Sequence, residues 1–234
     1  MPQHSARTEQ AKQARRDSPL AAAARFCEQK DTQDSIPYCI GLTGNIATGK
    51  STVGRMLASL GAELIDADKV AHAVMASAGS AYASVVGAFG PGIVGDNGEI
   101  DRRALGRIVF ADPEALKRLE ALVHPAVIAE VNQRIARSTA PAVVVEAIKL
   151  LESGMAESYD AIWVTTCSEE TQLARLMEMR RLSREDALAR IGAQAPQAEK
   201  VLRADVVVDT EGTLAATRVQ VEAAWADLQR HLDR

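Results

Sequence analysis

The feature that most constrains this chain is the glycine-rich segment 44–51, GNIATGKS, which matches the pattern G-x-x-x-x-G-K-[ST]. An apolar run at 38–43 precedes it and predicts a strand, and helical periodicity follows from Lys50 to Leu60. In such a strand, loop and helix arrangement, loop N–H groups and the helix N-terminus bind phosphate oxygens. An ordinary glycine-rich turn is the alternative, but the complete pattern in this context favours a nucleotide site. Lys50 would then reach the β and γ phosphates, and the Ser51 hydroxyl would hold Mg²⁺.

Four further apolar runs predict the rest of a sheet, at 62–66, 141–146, 161–166 and 204–208. Strands that are apolar along their whole length are buried on both faces, which is typical of a parallel sheet covered by helices. The predicted fold class is therefore α/β, with a parallel sheet flanked by helices.

The long stretch between the second and third strands exceeds what one crossover helix needs and predicts an inserted helical subdomain. An Asn-Gly pair at 97–98 predicts a small hairpin within residues 91–100. The predicted helices span 69–75, 81–89, 102–110, 113–122 and 125–137.

Composition and charge restrict the class of protein. The 234 residues carry 27 Lys and Arg against 31 Asp and Glu, a net charge of −4, so no basic field exists to attract nucleic acid.

The three cysteines Cys27, Cys39 and Cys167 form no CxxC pair, which argues against zinc and a disulfide framework and favours the cytoplasm. No apolar run is long enough to cross a bilayer, so we expect a soluble protein. Residues 1–36 predict a flexible N-terminal extension and not a targeting peptide.

Two carboxylates follow the second predicted strand, Asp66 and Asp68, at the edge where ligands bind in such sheets. If the strand continues, they share one face, and either could orient an acceptor hydroxyl during phosphoryl transfer. Alternatively, Asp68 caps a helix that begins at Lys69.

A basic cluster follows the fourth predicted strand and contains Arg175, Arg180, Arg181 and Arg184. Arginines on a mobile lid would neutralise a transferring phosphoryl group and exclude water, and Gln194, Lys200 and Arg203 could extend that lid. A solvated helix face is the alternative, and Arg175 is the strongest candidate.

Glu146 and His124 are two further candidate functional residues. Glu146 closes the third strand, where an acidic residue holds the Mg²⁺ shell in many phosphate-loop proteins; a solvated strand-end charge is the alternative. His124-Pro125 predicts a helix start, with an acceptor-binding role for His124 as the minority interpretation.

Taken together, these residues resemble bacterial dephospho-CoA kinases, with the resemblance running from about Tyr38 to the C-terminal helix. The strand end with two aspartates, the His-Pro pair and the Gln-x-x-Arg pattern distinguish this family from adenylate and thymidylate kinases. The matching segments are 40–44, 44–52, 60–61, 65–68, 89–90, 98–102, 119–120, 124–125, Gln172 with Arg175, 190–191 with Gln194, and 204–205.

The resemblance implies a P-loop NTPase-type fold that transfers the ATP γ phosphate to the ribose 3′-hydroxyl of dephospho-CoA with Mg²⁺. The implied parts are a nucleotide-binding core at 37–68 and 140–234, an acceptor-binding helical insert at 69–139, and a lid at about 175–200. Asp68 matches the family's proposed general base, Arg175 its lid arginine and Lys50 its loop lysine.

The candidate site residues fall into three groups. We assign catalysis to Lys50, Asp68 and Arg175, and the metal to Ser51 and Glu146, the latter through water. We assign the acceptor side to Asp66, Arg102, His124 and Lys149. The positions assigned to ATP are Gly44, Ala47, Thr48, Gly49, Lys50, Ser51, Thr52, Arg175 and Thr210.

Two departures from the family pattern affect these assignments. Residues 148–150 read Ile-Lys-Leu where the family usually has Pro-Leu-Leu, so Lys149 alters the acceptor pocket. Thr210 stands where the family often has Asn before Gly, which affects the adenine contact. The competing functions are another nucleotide or nucleoside kinase and a nucleotide switch; the guanine-reading Asn-Lys-x-Asp motif is absent from the sequence. Oligomeric state is left open.

Overall fold

The computed structural model describes residues 37–152 and 155–232, which form an α/β structure. The flexible extension predicted for 1–36 lies outside the described residues. The strands are β1 (Tyr38–Thr43), β2 (Glu63–Asp66), β3 (Ala142–Glu146), β4 (Ala161–Thr166) and β5 (Val206–Asp209). The α-helices are α1 (Lys50–Ser59), α2 (Ala67–Val74), α3 (Tyr82–Phe89), α4 (Arg102–Ala111), α5 (Pro113–Arg137), α6 (Glu169–Arg180), α7 (Arg184–Gly192), α8 (Gln197–Val201) and α9 (Leu214–Leu232), with 3₁₀ turns at Pro91–Ile93 and Met155–Ser158.

The five strands form one sheet in the order β2-β3-β1-β4-β5. β1 pairs in parallel with β3 on one side and β4 on the other, and β4 pairs in parallel with β5. Because β1 is central and parallel to these neighbours, the residues after β1, β3, β4 and β5 meet at one edge of the sheet. This edge carries the phosphate loop.

The hydrophobic core around the sheet lies between the sheet and helices α1 and α9. Buried residues recur on α1 at helical spacing, Val53, Met56 and Leu57, so one face of the helix covers the sheet. Burial of these side chains holds the start of α1 against the end of β1. The core includes Ile40, Leu42, Val53, Leu57, Val144, Trp163, Val221 and Trp225.

Burial on both faces was predicted for strands that are apolar along their whole length, and the two edge strands depart from this. Val207 of β5 is 44% exposed, and three of the four residues of β2 are only partly buried. An edge strand has a neighbour on one side only, so an apolar sequence does not by itself ensure burial.

The described residues divide into two compact units. One comprises those up to Ile65 together with those from Ser138 onward, and the second is Asp66–Arg137. In the second unit α5 packs against α2, α3 and α4.

Two sequence predictions in the second unit have opposite outcomes. A helix start was predicted at Pro125, but α5 runs unbroken from Pro113 to Arg137 with Pro125 inside it. Val123, Val127 and Val131 form a buried stripe across this position, so packing outweighs the hydrogen bond that proline removes. The small hairpin predicted within 91–100 is confirmed: Val94 and Ile100 form an antiparallel bridge, and the Gly95 N–H donates to the Glu99 carbonyl at 2.9 Å.

Candidate active site at the phosphate loop

Two glycines give the loop between β1 and α1 its shape. Gly44 has φ +153° and Gly49, which caps α1, has φ +83°. A Cβ on Gly44 would lie 2.6 Å from the Thr165 carbonyl oxygen, and one on Gly49 would lie 3.3 Å from Thr210 Cγ2. Backbone conformation favours glycine at both positions of the motif, and at Gly44 the available space requires it as well. Ala47 also has a positive φ, +60°, an uncommon conformation for a residue with a side chain.

The Lys50 side chain folds back over the loop. It is 8% exposed, and its Nζ donates to the carbonyl oxygens of Gly44 at 3.0 Å and Asn45 at 3.4 Å. A buried ammonium group is stable only where polar groups surround it. The loop carbonyls thus fix a positive charge inside the curve of the phosphate-binding motif.

Ser51 and Glu146 meet at the ends of α1 and β3. Ser51 Oγ donates to Glu146 Oε1 at 2.6 Å, and Glu146 is 8% exposed. The solvated strand-end alternative for Glu146 is therefore wrong. A hydroxyl and a carboxylate are hard oxygen donors of the kind that Mg²⁺ prefers, so this pair fits the metal predicted there.

The loop also rests on a buried hydroxyl pair. Thr48 Oγ1 lies 2.7 Å from Thr165 Oγ1 and donates to the Asn45 carbonyl at 2.8 Å. Both threonines are fully buried. Thr165 was not predicted as a site residue, because a threonine in a strand carries no local signal of what it faces.

The Arg175 guanidinium joins the loop to the segment after β5. Its Nη1 donates to the Ala47 carbonyl and to Thr210 Oγ1, both at 3.1 Å, and its Nη2 donates to the Thr210 carbonyl at 2.5 Å. Nη1 also lies 3.6 Å from Cys167 Sγ, and burial raises the pKa of that thiol. Arg175 is thus fixed beside the loop by at least three acceptors. Thr52, which was also predicted to bind ATP, lies in the first turn of α1.

Thr210 is buried at 4% exposure and belongs to the same network. Its hydroxyl lies within hydrogen-bond distance of the carbonyls of Thr48 at 2.9 Å and Thr166 at 3.1 Å. The next residue, Glu211, accepts from the Ser168 N–H at 2.6 Å and from the Thr171 hydroxyl at 2.5 Å. These donors hold the pKa of the Glu211 carboxyl below its usual value. Glu211, missed in the sequence, thus connects the Thr210 segment to the start of α6.

Comparisons with known proteins identify the family. The dephospho-CoA kinase family model matches residues 38–216. This chain belongs to the dephospho-CoA kinase family. It is 50% identical over 189 residues to the dephospho-CoA kinase of Symbiobacterium thermophilum, covering 80% of this chain and 79% of that one. It is 46% identical over 190 residues to that of Geobacter sulfurreducens, covering 80% and 96%. The dephospho-CoA kinase structure from Campylobacter jejuni is similar at TM-score 0.62 and 29% identity, covering 82% and 98%.

As a member of the dephospho-CoA kinase family, the chain is a kinase with a P-loop α/β fold, and the predictions of family, fold and enzyme class are confirmed. Within the part of the chain that the structure describes, none of the helices combines the length and the apolar character needed to span a membrane.

The two candidate carboxylates after β2 occupy different positions from those predicted. β2 ends at Asp66, which caps α2 by accepting from the Lys69 N–H at 3.0 Å, and Asp68 lies in the first turn of α2. Both the continuous strand and the cap at Asp68 are therefore wrong, because the helix begins two residues earlier, at Ala67. Asp68 is exposed.

The remaining acceptor-side candidates of this dephospho-CoA kinase family member lie on three elements. Arg102 begins α4, capped by Asp101, and lines a small pocket of about 150 Å³ in the second unit. His124 lies half-buried in the middle of α5, not at a helix start. Lys149 is exposed in the turn after β3. The pocket is lined by Met75, Ala76, Glu99, Ile100, Arg102 and Leu105.

The residues expected to extend the lid make close contacts in the first unit. Gln194 Oε1 accepts from the Ile46 N–H at 2.6 Å. Lys200 is 3% exposed and donates to the Ile148 carbonyl at 2.9 Å and to Glu152 at 2.8 Å. Arg203 Nη1 lies 3.5 Å from the Leu151 carbonyl. Lys200 and Arg203 therefore support the turn after β3, whereas Arg180, Arg181 and Arg184 are exposed.

Proposed function

We propose that this chain transfers the γ phosphate of ATP to the ribose 3′-hydroxyl of dephospho-CoA and releases coenzyme A and ADP. In this step the bond between the γ phosphorus and the β,γ-bridging oxygen breaks, and a bond from phosphorus to the 3′-oxygen forms. The observation that carries the proposal is the buried Lys50 ammonium held inside the 44–51 loop of a dephospho-CoA kinase family member.

The nucleotide side of the reaction belongs to the first unit. Lys50 would neutralise charge on the β and γ phosphates, and the N–H groups of the loop would bind phosphate oxygens. The assigned nucleotide contacts are Gly44, Ala47, Thr48, Gly49, Lys50, Ser51, Thr52, Arg175 and Thr210. Arg175 lies next to the loop at Ala47, which supports a role at the phosphates and not only at an outer lid.

Ser51 and Glu146 would hold Mg²⁺, Ser51 directly and Glu146 through water. In the described part of the chain no group of three or more His, Cys, Asp or Glu side chains could hold a metal. This fits Mg²⁺, which usually takes one or two protein oxygens and completes its shell with water and nucleotide phosphates. When bound, the ion would neutralise developing charge on the phosphates.

We assign the acceptor side to residues 69–139, and also to Asp66 and Lys149. Asp68 would take the proton of the 3′-hydroxyl as the new bond forms, and its exposure leaves it accessible to a substrate. Arg102 and His124 would bind the acceptor, and the pocket beside Arg102 supports such a role.

Three further assignments complete the proposal. Residues at about 175–200 would act as a lid that excludes water from the γ phosphate. Residues 1–36 would be dispensable for catalysis. The chain would act in the cytoplasm without nucleic acid or a membrane, where the free thiols Cys39 and Cys167 remain reduced.

A panel of acceptors tests the proposed substrate. With Mg²⁺ and ATP, we expect phosphorylation of dephospho-CoA at least about tenfold faster than of AMP, dTMP or adenosine. An enzyme discriminates between acceptors by how well it stabilises the transition state of each one. A panel in which one of the other acceptors ranks first would contradict the assignment. A chain lacking residues 1–34 is the matched control and is expected to give the same ranking and rate.

A further inference from the structure

The segment between α7 and α8 is hydrogen-bonded to the phosphate loop. The Ile46 N–H donates to Gln194 Oε1 at 2.6 Å, and Asn45 Nδ2 donates to the Ala195 carbonyl at 3.0 Å. Asn45 is 5% exposed. These residues are about 150 positions apart in sequence, so the contact belongs to the folded site and not to a local turn.

Helix α8 keeps this segment in place. Gln197 Nε2 donates to the Cys167 carbonyl after β4 at 3.1 Å, and Lys200 Nζ donates to the Ile148 carbonyl after β3 at 2.9 Å. The chain that follows Gln194 is thus attached to the loops after β1, β3 and β4. A side chain anchored in this way loses little conformational entropy when it binds a ligand. Such a side chain is well suited to a ligand-binding site.

Gln194 and Lys50 hold the two ends of one peptide group. The peptide that links Asn45 to Ile46 donates its N–H to Gln194, while its carbonyl accepts from Lys50 Nζ at 3.4 Å and from Thr48 Oγ1 at 2.8 Å. Since the lysine of this motif reaches the β and γ phosphates, Gln194 lies one peptide unit from the group that binds the terminal phosphates.

The chemistry of the amide determines what Gln194 can offer there. Its Oε1 is used by the Ile46 N–H, which fixes the orientation of the amide group and leaves two donors on Nε2. Within residues 37–152 and 155–232, no side chain or backbone group accepts a hydrogen bond from Nε2. A neutral amide donor beside a phosphate loop suits a phosphate oxygen.

We propose that Gln194 donates a hydrogen bond from Nε2 to the transferred phosphoryl group of ATP, with its Oε1 anchored on the Ile46 N–H. This inference rests on the proposed function, because it takes the 44–51 loop to bind ATP. It assigns Gln194 to recognition of the γ phosphate, so that the nucleotide with three phosphates is favoured over the product ADP.

Isothermal titration with the Mg²⁺ complexes of ADP and of the non-hydrolysable imido analogue of ATP tests this role. In Gln194→Glu a carboxylate oxygen still accepts from Ile46, but the donor is lost; Gln194→Ala removes the side chain without adding charge. For both variants we expect Kd for the imido analogue to rise at least about fivefold more than Kd for ADP. Gln229→Glu, an exposed glutamine on α9, is the charge-matched control and should leave both values unchanged.

The possible results separate this inference from the proposed function. If either variant binds both nucleotides as the unmodified chain does, or loses affinity for both equally, Gln194 does not contact the γ phosphate and only shapes the loop. If the unmodified chain binds neither nucleotide, the proposed function fails, and this inference fails with it.

Discussion

The Ser51 hydroxyl donates a 2.6 Å hydrogen bond to the Glu146 carboxylate, which joins the phosphate loop to the end of β3. Ser51 is the last residue of the loop motif, and Glu146 is a buried anion at 8% exposure. A carboxylate in this position adds negative charge where the proposed Mg²⁺ would bind.

Replacing Glu146 by Gln should therefore weaken the binding of Mg²⁺ without breaking the loop. The amide retains an oxygen that accepts from Ser51 but removes the charge. We expect the Mg²⁺ concentration for half-maximal rate to rise about tenfold, measured in a magnesium titration at saturating ATP. Glu222→Gln, an exposed charge on α9 paired with Arg218, is the control. An unchanged titration curve for Glu146→Gln would exclude this residue from the metal shell.

Removal of the Lys50 ammonium should abolish most of the transition-state stabilisation. Lys50→Ala is expected to lower kcat/KM about 10³-fold, equivalent to about 4 kcal/mol, because developing phosphoryl charge loses its anchor. Steady-state kinetics measure the effect, and urea denaturation checks that the variant is folded. Lys117→Ala, which removes an exposed lysine of α5 that pairs with Glu114, should retain full activity. A Lys50→Ala rate close to that of the control would contradict the assignment.

The variant Asp68→Asn distinguishes an effect on the catalytic step from an effect on ATP binding. If Asp68 takes the proton of the acceptor hydroxyl, kcat should fall about 10²-fold or more, while Kd for ATP stays within about twofold. Single-turnover kinetics and nucleotide titration give the two values. Asp112→Asn changes a similar carboxylate at the start of α5, where Asp112 accepts from the Glu114 N–H, and should alter neither. Unchanged turnover in Asp68→Asn would leave Asp68 as a residue of the first turn of α2 only.

Glu211 should make stability depend on pH. Its pKa in the folded chain is lowered, mainly by the Ser168 N–H and the Thr171 hydroxyl, so the charged form stabilises the fold above the unfolded value near 4.5. The stabilisation is lost as pH falls below 4.5 through the lower folded value. The difference in urea midpoint between the unmodified chain and Glu211→Gln should therefore be constant from about pH 7 to about pH 5 and shrink in more acidic solution.

The control for this pH series is Glu114→Gln, which removes an exposed carboxylate paired with Lys117. We expect a small difference in its midpoint with a weaker dependence on pH, because exposed ion pairs contribute little. A Glu211→Gln difference that stays constant or grows in acid would show that the hydrogen bonds to Ser168 and Thr171 do not depend on its charge.

Local patterns predicted the sheet and the loop well. The motif at 44–51 and the apolar runs depend on neighbours in sequence, so all five strands and α1 appear within two residues of the predicted bounds. The point where β2 ends and α2 begins was harder to predict, because Asp66 and Asp68 are equally good helix caps by residue type. The helix across Pro125 depends on packing of α5 in the folded unit, which the sequence around a proline does not reveal.

The contacts around the loop were least predictable because their partners are far apart in sequence. Thr48 and Thr165 are separated by 117 positions, and Ile46 and Gln194 by 148. A threonine on a strand or a glutamine between helices carries no local signal of such a partner. The sheet order places β1 beside β4 and so brings Thr48 and Thr165 together, whereas the Ile46–Gln194 pair depends on where the segment between α7 and α8 folds.

The most direct test of the central claim is to identify the phosphorylated product. The purified chain, Mg²⁺, ATP and dephospho-CoA are incubated, ADP is measured, and the acceptor product is analysed by mass spectrometry and ³¹P NMR. We predict coenzyme A carrying the new phosphate on the ribose 3′-oxygen, formed in equal amount with ADP and only when dephospho-CoA is present. ADP released at the same rate without dephospho-CoA, or phosphate on another position of the acceptor, would contradict the account.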